Sequence, residues 1–140
     1  MNPLSTNEGS RKSVAWVVFN GRAYLPWLRL LRPGFRHCFL VLQHVDCWIM
    51  YEPLSNRTEI SVIARKPDVD LIAWLLQMKF TVLSAQIQAP QSKPAPWGLY
   101  NCVEAVKRVL GIRRRGLFTP WRLYRFLEEQ NKNIIDIDLK

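Results

Sequence analysis

A chain of 140 residues, 49% of them hydrophobic, has enough apolar material for one domain with a real core and too little for two. With 20 Lys+Arg against 11 Asp+Glu the net charge is +9, which calls for an anionic partner such as nucleic acid, lipid headgroups or a cell-wall polymer without choosing among them. The three cysteines, Cys38, Cys47 and Cys102, are odd in number and match no zinc spacing, so a disulfide framework and a structural metal are excluded and no cofactor is expected.

Residues 1–12 are polar and rich in turn formers, and they lack a basic stretch followed by an apolar run. They read as a flexible tail on a chain made in the cytosol, whose export would need another route. No apolar segment has membrane length. A single domain is expected over residues 13–130. Ser13 to Phe19 reads as a buried strand closed by the turn dipeptide Asn20-Gly21. Tyr24 to Leu31 mixes leucines and Trp27 with Arg22, Arg29 and Arg32, and reads as a loop packed on the core or, alternatively, a short piece touching a membrane surface.

After Pro33-Gly34, Arg36 to Val45 gives a second strand and Cys47 to Pro53 a third, joined so closely that they form an antiparallel hairpin around Val45-Asp46. A two-residue turn sets His44 opposite Cys47, Phe39 opposite Glu52 and His37 opposite Leu54. Because side chains alternate, His37, Phe39 and Glu52 then share one face. Thr58 to Ala64 supplies a fourth strand, Pro67-Asp68 opens a helix through Lys79, and Phe80 to Gln88 alternates like a fifth strand.

The proline-rich run Ala89 to Pro96 leads to Trp97-Gly98-Leu99-Tyr100-Asn101-Cys102-Val103-Glu104, where a helix should begin. Asn101 is a favoured N-cap, Glu104 three places on completes a capping box, and Gly111 is a left-handed stop. Cys102 therefore falls in the first turn, where unpaired N–H groups and the helix dipole favour a thiolate. Val103, Val106 and Leu110 bury one face. Thr119-Pro120 caps a last helix through Gln130, with Leu123, Tyr124 and Leu127 toward the core. Residues 131–140 alternate through Ile134, Ile135 and Ile137 and read as a tail or edge strand.

A nucleophilic thiol needs a base, and the base needs an acceptor to fix its tautomer. His44 stands beside the turn in solvent, whereas His37 stands at the strand entrance with Glu52 on its face. Taken singly, a cysteine is usually a small hydrophobe and a histidine a structural group; the combination of capped cysteine, strand histidine and same-face carboxylate is the informative part.

The stretches Arg36-His37-Cys38-Phe39-Leu40-Val41, Ile49-Met50-Tyr51-Glu52-Pro53 and Tyr100-Asn101-Cys102-Val103-Glu104-Ala105-Val106 together resemble the circularly permuted NlpC-like branch of the papain fold, which also looks like the lecithin:retinol acyltransferase group. The resemblance spans roughly residues 35–110. It implies an α+β papain-like domain, an antiparallel sheet packed against the helix that carries the cysteine, with Cys102 and His37 as a catalytic dyad and Glu52 as third member. It departs from the family in two places. Small residues commonly follow that histidine, where Cys38-Phe39 stands here, and many members are exported.

The resemblance implies a cysteine hydrolase acting through a thiol acyl-enzyme on an amide or ester carbonyl. A cell-wall peptide is the favoured substrate, in a virion-associated or otherwise delivered lysis protein such as a phage uses. Trp97 and Tyr100, just ahead of the cysteine, are candidate substrate-binding residues. A lipid acyltransferase is one alternative. The other is a non-enzymatic nucleic-acid or lipid binder using the basic stretch of Lys107, Arg108, Arg113, Arg114, Arg115, Arg122 and Arg125, interleaved with Trp121, of which Arg113, Arg114 and Arg115 are the candidate anion-binding residues.

Overall fold

Val17, Val18 and Phe19 are successive residues with no exposed surface, so the strand that carries them needs cover on both faces. In the computed structural model this strand, β1 (Val14–Asn20), lies inside an antiparallel sheet between β2 (His37–Gln43) and β5 (Thr81–Gln86). The hairpin partner β3 (Cys47–Pro53) and then β4 (Thr58–Ala64) extend the sheet in the order β4-β3-β2-β1-β5. The structure describes residues 14–23, 25–64, 66, 69–89, 94 and 99–138, with the backbone alone for 14 and 133–138. Among them are three α-helices: α1 (Leu71–Gln77), α2 (Cys102–Leu110) and α3 (Pro120–Asp138).

Alternation along the strands divides the core in two. Ala15, Val17 and Phe19 of β1 and Cys38 and Leu40 of β2 pack with Val103, Val106 and Leu110 of α2 and Leu123 and Leu127 of α3. On the opposite face Val18, Phe39, Val41 and Trp48 pack with Leu71 and Leu75 of α1. Edge strand β4 is exposed along its whole length, with Ile60, Val62 and Ile63 among its residues.

The β2–β3 register follows the two-residue turn: Leu40 pairs with Tyr51, Val41 with Met50, Leu42 with Ile49 and Gln43 with Trp48, and His44 N–H donates to the Cys47 carbonyl at 2.9 Å. Continued toward the strand entrance, the same count sets Phe39 against Glu52. The loop that returns the chain to β2 depends on a close backbone approach, for a Cβ on Gly21 would come within 3.2 Å of the Gly34 nitrogen. Phe35, just ahead of β2, is wedged between Phe19, Trp121 and Tyr124 with ring centroids 4.8–5.6 Å apart, which pins the strand entrance against α3.

Three expectations need correction. Pro26–Leu30 forms a short 3-10 helix that buries none of its residues and leaves Trp27 and Leu30 58% and 90% exposed, so it is not a loop packed on the core. Helix α1 starts at Leu71 under an Asp70 N-cap, whose carboxylate accepts from the Ile72 and Ala73 amides; Pro67 and Asp68 lie outside the described residues. Residues 131–138 continue α3 instead of forming an edge strand, because extending an existing helix fixes one residue per added hydrogen bond and avoids a new nucleation. The Asn131 side-chain amide ties that extension to the Ser84 carbonyl of β5 at 3.1 Å.

Candidate active site at the mouth of helix α2

The local sequence of α2 accounts for where its first residue sits. Asn101 Oδ1 accepts from the Glu104 amide at 3.0 Å, and the Asn101 side-chain amide donates to the Phe118 carbonyl at 2.9 Å, so one residue both caps α2 and fastens it to the loop before α3. The Glu104 carboxylate turns to Lys107 Nζ at 2.9 Å and Arg108 Nε at 3.2 Å, which leaves the capping box half made. At the far end Gly111 adopts φ 73°, and the Ile112 N–H returns to the Lys107 carbonyl at 2.9 Å, a Schellman-type stop. Packing of Val103, Val106 and Leu110 on the sheet then sets the start of the helix against the entrance of β2.

Cys102 meets two consecutive β2 residues there. Cys38 reaches its sulfur with both the side-chain S–H and the backbone N–H, and His37 adds a further hydrogen bond and charge. The Cys38 thiol bond is the largest influence; together with the others it outweighs burial and holds the Cys102 thiol down at about 5, against an ordinary value of 9.0. Cys38 behaves oppositely, for complete burial and the neighbouring Cys102 push its thiol well up, so it stays protonated and donates.

His37 is only 4% exposed and stacks on Phe39 at 6.4 Å, and its Nε2 stands 3.4 Å from Glu52 Oε1, in ion-pair range. The same side chain makes a hydrogen bond with Cys102. Cys102, His37 and Glu52 are thus brought together, although 65 residues separate the first two in sequence order, 37 to 102. His44 is exposed at the other end of the hairpin. A cleft of about 680 Å3 opens at that same far end, between Trp16, Trp48 and Ile72, and none of the three residues lines it.

Of the candidate substrate-binding residues, Trp97 lies outside the described residues. Tyr100 stands 58% exposed beside the cysteine, its hydroxyl 3.5 Å from that of Tyr51 and its ring 5.0 Å under Arg108. Leu99 and Phe118 are exposed next to it. Two site residues escaped the sequence reading. Tyr51 could have been found by alternation, since it precedes Glu52 and must face α2. Cys38 carried no signal of its own, because its contact with Cys102 is non-local.

The basic stretch divides. Lys107 is 8% exposed and paired with Glu104, so it belongs to the core side of α2, and Arg108 shares that carboxylate. Arg113 donates to the Pro94 carbonyl at 2.9 Å, while Arg114 and Arg115 are exposed. Trp121 is no open stacking platform: its ring lies against Tyr124 and Phe35, with the Arg32 guanidinium 3.6 Å above it.

Among the described residues no group of His, Cys, Asp and Glu is placed to hold a metal ion, and no helix is long and apolar enough to cross a membrane. No family model matches the chain, and no match is found among curated proteins or solved structures.

Proposed function

We propose that this α+β domain is a papain-like cysteine hydrolase of the permuted NlpC-like type. Its substrate is an amide or ester carbonyl, with cell-wall peptide bonds as the favoured class. The observation that carries the reading is the convergence of a depressed thiol, a buried imidazole and a carboxylate at one helix mouth. Cys102 attacks the carbonyl carbon as a thiolate. The Cys102 backbone N–H, at the positive end of α2, stabilises the developing oxyanion. His37, beside Glu52, takes the Cys102 proton and gives it to the departing amine or alcohol as the C–N or C–O bond breaks, which leaves a thioester on Cys102. It then takes a proton from water, whose hydroxyl bonds to the acyl carbon as the C–S bond breaks, which releases the acid and restores the thiolate. Glu52 holds the ring in place.

The test is hydrolysis of p-nitrophenyl esters and of peptidoglycan fragments. Turnover with a trapped thioester on Cys102, abolished in Cys102→Ala while the fold is retained, supports the reading; full activity in that variant refutes it.

One observation favours a second reading, in which the acyl donor is a lipid ester. Leu99, Tyr100 and Phe118 present exposed apolar surface beside Cys102, and Arg114 and Arg115 lie on the loop that ends in Phe118. Faster acyl transfer from anionic vesicles than from soluble esters would select it.

A further inference from the structure

We propose that Cys38 is the resolving partner of Cys102, so that a hydroperoxide closes the two sulfurs into a disulfide that silences the nucleophile and a dithiol reopens it. The inference rests on reading Cys102 as the reactive thiolate. Its geometric basis is that Cys38, the second residue of β2, is buried in the core cluster against which Cys102, the first residue of α2, packs. The Cys38 S–H and backbone N–H both act as hydrogen-bond donors to the Cys102 sulfur. Both cysteines are free.

The two sulfurs differ in the way such a pair requires. Cys38 has no exposed surface, while Cys102 is only partly buried, so a small oxidant meets Cys102 first. Cys102 is also the one held as thiolate. With hydrogen peroxide as oxidant, the Cys102 sulfur attacks one peroxide oxygen, the O–O bond breaks and hydroxide leaves. Sulfur is oxidised by two electrons to the sulfenic acid, and the peroxide is reduced. Cys38 then attacks that sulfur: the S–S bond forms, the S–O bond breaks, and the hydroxyl leaves with the Cys38 proton as water. A dithiol returns two electrons and restores both thiols. Cys47, at the opposite end of the hairpin and paired with Ala64, takes no part.

The experiment exposes the full chain to hydrogen peroxide, blocks free thiols with iodoacetamide and maps the peptides without reduction. A Cys38–Cys102 linked peptide with Cys47 alkylated, and recovery of Cys102 labelling after dithiothreitol, is the expected result. Cys102 found as sulfinic acid with Cys38 still alkylatable after unfolding would overturn the pairing while leaving Cys102 as a reactive thiolate. Cys102 unoxidised under the same exposure would overturn both. Linkage to Cys47 instead would also overturn the pairing. Cys38→Ala, or Cys38→Ser if the smaller residue impairs folding, should let excess peroxide drive Cys102 to a sulfinic acid that dithiothreitol does not reverse. Full recovery of Cys102 labelling in these variants would refute the resolving role.

Discussion

The Cys102 thiol offers a prediction in which two large effects oppose each other, and the pH profile separates them. A thiol with a pKa of about 5 is already about 90% ionised at pH 6, so its thiolate population barely changes between pH 6 and 8. The same residue in the unfolded chain, with its ordinary value of 9.0, gains roughly a hundredfold in thiolate over that range. At pH 7 the folded site therefore holds about a hundred times more thiolate. Lower basicity costs it roughly 40–100-fold in intrinsic nucleophilicity over the four units, so the two nearly cancel and a single rate at neutral pH is undiagnostic. The slope is diagnostic. Alkylation of folded Cys102 by iodoacetamide, followed by mass spectrometry, should be flat from pH 6 to 8 and fall with a midpoint near 5; in urea it should rise about tenfold per unit. Stability is linked with the same sign: because the folded pKa is depressed, the group stabilises the fold fully above pH 9 and loses its contribution as pH falls through about 5. Its share at pH 7 is about 3 kcal/mol, measured as the pH-dependent part of the difference between wild type and Cys102→Ser in urea melts. A folded profile that climbs tenfold per unit between pH 6 and 8 would refute the reasoning.

His37→Ala should raise the alkylation midpoint of Cys102 and abolish ester turnover, the first read from the same pH series and the second from p-nitrophenol release. Glu52→Gln should keep the urea midpoint and lower turnover less than His37→Ala does, since the amide still accepts a hydrogen bond but no longer places a charge beside the ring; full activity would remove Glu52 from the mechanism. Reversing Arg114 and Arg115 to Glu should weaken heparin binding and flatten its salt dependence without changing the thermal midpoint; an unchanged salt slope would make that loop an ordinary solvated surface. Gly111→Ala should cost about 1–2 kcal/mol in urea melts, because φ is 73° and the new Cβ would meet Gln88 Cβ at 3.1 Å.

What could be read from the residues was local. The two-residue turn at Val45-Asp46 fixed the β2–β3 register, and with it the meeting of His37 and Glu52, because alternation is rigid once one pair is set. Asn101 and Gly111 bounded α2 because caps act within a turn of the residues they serve. The placement of β1 between β2 and β5 was not legible, since the pairing of strands distant in sequence leaves no mark on either. The Cys38–Cys102 contact was hidden for the same reason. Ile134, Ile135 and Ile137 mislead because their local spacing carries no trace of the helix already running into them. The exposed 3-10 helix misled because its leucines and tryptophan have the composition of a packed segment.

The order in which the chain is made gives the α2–β2 docking a further meaning. His37 and Glu52 lie in one hairpin, so on a ribosome both are synthesised well before Cys102. Cys102 emerges later and reaches the hairpin only when Val103, Val106 and Leu110 settle on the finished sheet. Until that moment it is an unremarkable thiol among chaperones and other nascent chains. The Cys102 thiol is thus shifted by a late tertiary contact of folding, and an incompletely folded copy carries Cys102, His37 and Glu52 without their convergence.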